Sequence, residues 1–64
     1  MRVSFRRLVT NGEYLGYDDD FGYLYSIFIG YDKKHRARYG VYSVRSNVIE
    51  CLITYPVLRE EKQK

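Results

Sequence analysis

Catalysis needs a nucleophile, a base, a metal cluster or a phosphate cradle, and this 64-residue chain offers few of them. His35 is the only histidine and stands between Lys34 and Arg36, where neighbouring cations disfavour its charged form and solvent dilutes any general-base role. Cys51, the only cysteine, falls in the apolar run VIECLITY, which predicts a buried and inert thiol. Asp18, Asp19 and Asp20 place three carboxylates in a row, but Gly22 and Ile29 fall where a calcium loop would need other residues. A solvated acidic turn is the expectation there. The chain has no glycine-rich phosphate loop and no zinc-type spacing, so the reading is no catalytic residue, no metal and no cofactor.

The remaining chemistry is aromatic and cationic. Eight tyrosines and no tryptophan occur, with eleven lysines and arginines against eight acidic residues, for a net charge of +3. The charge is blocked: Arg2, Arg6 and Arg7 come first, then Glu13 and the three aspartates, then Lys33, Lys34, Arg36, Arg38 and Arg45. Rings that stack on bases beside a cationic rim hold single-stranded nucleic acid with little sequence preference. A positive excess favours such a partner without requiring it.

The stretch Gly22 to Arg45 must position these groups. Two runs rich in tyrosine, isoleucine and valine flank Asp32-Lys33-Lys34-His35, the pattern of strand, turn and strand. With those four residues as the loop, or the lysine pair alone, Tyr31 is expected opposite Arg36, Ile29 opposite Arg38, Ile27 opposite Gly40, Tyr25 opposite Tyr42 and Tyr23 opposite Val44. Alternation then gives two faces. Leu24, Phe28, Ala37, Tyr39 and Val41 are the expected core. The opposite face carries the expected contact residues Tyr23, Tyr25, Tyr31, Arg36, Arg38 and Tyr42, with Lys33 and Lys34 at the tip. Ile27 and Ile29 interrupt that face, and they predict an interface for a second copy or another protein.

Elsewhere, Arg2 to Val9 reads as an edge strand and Thr10-Asn11-Gly12 as a turn. Glu13 to Tyr17 is a short strand. Val48 to Tyr55 fits a strand better than a helix, because its branched residues run into Pro56. Pro56 suits the start of a short C-terminal helix, and residues 59–64 form a charged tail.

The sequence thus predicts one all-β domain over residues 1–58, a small barrel or twisted antiparallel sheet of four to five strands. A core this small is marginal: a domain of this length buries only about 60% of its unfolded surface. Association is the common remedy, hence the expected homodimer. With one cysteine and no long apolar run, the expected setting is the cytoplasm, with no membrane contact. The expected function is non-enzymatic binding of DNA or RNA. The competing expectation is a protein-binding regulator or inhibitor, of the kind phages and mobile elements carry, docking through the sheet face or an edge strand.

Overall fold

The computed structural model describes residues 3–57. Four strands, β1 (Glu13–Asp18), β2 (Gly22–Tyr31), β3 (Ala37–Arg45) and β4 (Val48–Pro56), follow helix α1 (Phe5–Asn11). They pair antiparallel in chain order as one open sheet, so the all-β reading holds with four strands and one short helix.

The helix replaces the expected first strand. Ser4 is its N-cap, the hydroxyl accepting the Arg7 N–H at 3.1 Å. Val3 before the cap and Leu8 four residues after it both enter the buried cluster, the arrangement of a hydrophobic staple. Arg7, which interrupts the alternation a strand would need, is a natural third helical residue. Gly12, expected in a hairpin turn, instead ends the helix by donating its N–H to the Leu8 carbonyl at 2.9 Å.

The central hairpin forms where expected, with Tyr23 opposite Val44, Tyr25 opposite Tyr42 and Ile27 opposite Gly40. Nearer the tip the register departs from expectation. Ile29 is an extra residue, so Gly30 pairs with Arg38 and Tyr31 with Ala37. Gly30 takes φ 128°, a backbone geometry that side-chain-bearing residues rarely adopt and that a bulge exploits. One inserted residue turns every later side chain to the other face. A second bulge sits between Tyr14 and Gly16, and a third lies on β4 where Val41 pairs with Ile53 but Tyr42 with Cys51.

The core is the reverse of the face expected. Leu8 is fully buried and Val3, Ile27, Tyr42 and Val44 nearly so, with Tyr25, Ile29 and Ile49 packed against them. Helix α1 covers the side carrying Ile27 and Tyr42. The side carrying Leu24, Phe28 and Tyr39, expected inside, stands open. Both sides are apolar enough to be core, and the helix decides between them.

β4 confirms the strand reading of its segment. Pro56 closes this strand opposite Arg38, and the Val57 N–H reaches the Ala37 carbonyl at 2.8 Å, so no helix begins at Pro56. The charged tail expected at 59–64 lies outside the described residues.

Candidate nucleic-acid interface

The tip of the hairpin is organised by Asp32. Its Oδ1 accepts the N–H groups of Lys34 at 2.8 Å and Arg36 at 2.9 Å, and its Oδ2 accepts Arg36 Nε at 2.9 Å. The Arg36 backbone N–H, foremost, holds the Asp32 carboxyl below its ordinary value, with the Arg36 side chain and the Lys34 N–H adding to it. His35 follows at φ 63°, giving a solvent-exposed loop of three residues, Lys33, Lys34 and His35, closed by Asp32 opposite Arg36, where a loop of four residues or of two was expected. Arg36 is thus tied to Asp32, which leaves Lys33 and Lys34 as the cations the tip presents.

The other expected contact residues divide between the two faces. Tyr42 and Ile27 are buried at 4% and 2% exposure, so neither reaches a partner; they are core beneath α1. The Tyr42 ring lies across Gly40, where a Cβ would stand 2.8 Å from it, and burial, with Cys51 nearby, pushes the phenol up. Ile29 is half-buried against the same cluster, so the interface expected at Ile27 and Ile29 is occupied by the chain's own helix. Tyr31 is turned by the bulge to the open face, where it meets Phe28 at 5.3 Å between ring centroids. Tyr23, Tyr25 and Arg38 remain on the helix side, and Arg38 donates to Thr54 Oγ1 at 2.8 Å.

Two tyrosines that alternation alone does not bring together, Tyr14 and Tyr17, complete a group there. Tyr17 stands 5.0 Å from Tyr23, and Tyr14 lies 6.4 Å from Tyr23 and 5.4 Å from Tyr25. Phe5, from the first helical turn, meets Tyr25 edge-on at 6.5 Å. Tyr14, Tyr17 and Tyr23 are each half exposed. The signal was the Tyr14-x-x-Tyr17 spacing, which the β1 bulge converts from opposite faces to one. Beside these rings Phe5, Tyr17, Tyr23, Val44, Asn47 and Ile49 line a shallow cleft of about 550 Å³.

Charge is divided across the sheet. Glu13, Asp18 and Glu50 pair with Ser26, Gly22 and Ser43 and so fall on the open side. Arg38 falls on the other, and Arg6 and Arg7 ride on the helix that packs there. The acidic turn is closed by Asp18, whose Oδ2 accepts the N–H groups of Asp20 at 2.8 Å and Phe21 at 3.0 Å. Arg45, the strand cation of the open side, is spent on the Asp20 carbonyl.

Cys51 is exposed, contrary to the buried thiol expected, because β4 is an edge strand and α1 does not reach over it. Among the described residues no three of His, Cys, Asp and Glu come close enough to hold a metal ion. None of the described helices is long and apolar enough to cross a membrane.

Comparison with known proteins gives no matching family model, no similar curated protein and no similar solved structure.

Proposed function

We propose that this chain is a small non-enzymatic nucleic-acid-binding protein whose contact surface is the helix side of the sheet. The observation that carries the reading is the row Tyr14, Tyr17 and Tyr23, ring to ring and half exposed, on the side that holds Arg6, Arg7 and Arg38. Exposed rings offer stacking to any base, and arginines offer bidentate contact to phosphate. Lys33 and Lys34 extend the cationic rim at the hairpin tip. The single exposed thiol supports a reducing, cytoplasmic setting.

The test is fluorescence anisotropy with labelled single- and double-stranded DNA and RNA at low ionic strength. Binding should weaken steeply as salt rises. Absence of binding to all four probes would remove the proposal. A protein-docking role is the second reading, favoured by the uncovered apolar side of the sheet. Its mark is a stoichiometric protein complex that survives both nuclease and high salt.

A further inference from the structure

The open face is the largest feature that the nucleic-acid reading leaves unused. Phe28 meets Tyr31 at 5.3 Å and Tyr39 at 5.8 Å, and Tyr39 stacks on Tyr55 at 6.2 Å, so four rings run in contact across β2, β3 and β4. Phe28 is 39% exposed, Tyr31 70% and Ile53 57%. Helix α1 occupies the other side, and the seven residues after Val57, LREEKQK, offer a single apolar side chain. A continuous apolar face of this kind marks an association surface.

Charge selects the occupant. At one end of the strands stand Lys33 and Lys34, both exposed; at the other Asp18, Asp19, Asp20 and Glu50 outnumber the one cation, Arg45, and Glu13 lies on the outer strand β1. Between the ends the face positions of β2 and β3, from Leu24 to Tyr31 and from Ala37 to Ser43, carry no charge. The face is therefore complementary to itself when reversed end for end. We propose that a second copy of this chain covers it, sheet on sheet, related by a two-fold axis that lies between the sheets and runs across the strands. That axis puts the lysine tip of each copy over the acidic end of the other. An axis along the strands would place lysine over lysine and aspartate over aspartate. Two such sheets pack about 10 Å apart with their aromatic rows interdigitated, supplying the core volume that a chain of this length lacks. The helix side, with Tyr14, Tyr17, Tyr23, Arg6 and Arg7, remains outward in both copies; only the lysine tip is shared with the nucleic-acid surface, and Phe28→Asp, which leaves that tip intact, separates the dimer from nucleic-acid binding.

Sedimentation equilibrium on the full chain should give a dimer at micromolar concentration. Phe28→Asp should weaken self-association on the order of 100-fold. Reversing Lys33 and Lys34 together to glutamate should weaken it roughly tenfold, and mixing that variant with Asp19→Lys/Asp20→Lys should restore it. Orientation is read by a short bismaleimide in a Cys51→Ser background. K34C mixed with D20C should cross-link, whereas each alone should not. A monomer at high micromolar concentration overturns the proposal, as does a dimer indifferent to Phe28→Asp. Cross-linking of K34C to itself overturns the orientation.

Discussion

Asp32 and Arg36 hold each other across the tip of the central hairpin through both backbone and side chain, with a single carboxylate accepting the Arg36 N–H and its Nε, each at 2.9 Å. This is the only ion pair among the described residues. Because the folded carboxyl is held below its ordinary value, its contribution is complete above about pH 4 and is lost as pH falls through the lowered value. Asp32→Asn keeps an acceptor for the loop N–H groups but loses the charge. Thermal unfolding between about pH 5 and about pH 2 should therefore fall less steeply for Asp32→Asn than for the wild type. Asp32→Ala, which removes both acceptors, should be the less stable of the two at neutral pH. Equal acid slopes would show that the pair contributes nothing.

The two turns of the β2 to β4 meander carry side chains where glycine belongs. His35 has φ 63°, and Ser46 and Asn47 have φ 51° and 67°, the latter two forming a two-residue turn between Arg45 and Val48. His35→Gly, and Ser46→Asn combined with Asn47→Gly, should each stabilise the fold by roughly 0.5–1 kcal/mol. Urea unfolding with a raised midpoint and an unchanged slope is the expected readout.

Leu8 is the residue through which the helix closes the core. Leu8→Ala should cost about 2–5 kcal/mol, and Ser4→Ala about 1 kcal/mol by removing the cap. Ser4→Asp should keep most of the stability lost in Ser4→Ala. If chemical denaturation found Leu8→Ala near neutral, the helix could not be what covers Ile27 and Tyr42.

On the nucleic-acid surface, Tyr17→Ala and Tyr23→Ala should each weaken single-strand binding by about 1–3 kcal/mol, the usual worth of one stacked base. Arg6→Gln should lower the slope of log affinity against log salt by roughly 0.7–0.9. Tyr31→Ala, on the opposite face, should leave affinity unchanged. The reverse pattern would move the binding surface to the open side.

Cys51 should react with a thiol reagent in the native state, without denaturant. Protection until unfolding would contradict its exposed position on β4.

Much of the frame was legible in the residues. Alternation of branched and aromatic side chains marked the β2 and β3 hairpin, but its pairing from Tyr23 to Ile27 matches expectation only because two departures cancel: the three-residue loop sets Asp32 opposite Arg36, one residue off the expected register, and the bulge at Ile29 restores it. The acidic loop and the polar tip followed from Asp18 and Asp32, whose short side chains bond to N–H groups two to four residues onward. The helix was harder, because seven residues do not hold a helix alone and Phe5–Asn11 forms only against the sheet. Its signals, the Ser4 cap and the Val3 and Leu8 staple, were present but weaker than the strand-like alternation around them.

Sequence by itself determined that residues 22–45 would fold back into a ribbon with two apolar sides. It could not determine which side would be inside. That choice rests on where α1 packs, and on single-residue bulges at Leu15 and Ile29 that move Tyr17 and Tyr31 from one face to the other. Alternation is a local property of the chain, whereas inside and outside are set by long-range contact. Only the tertiary structure therefore made Tyr42 core and left Tyr31 outside the core of its own chain.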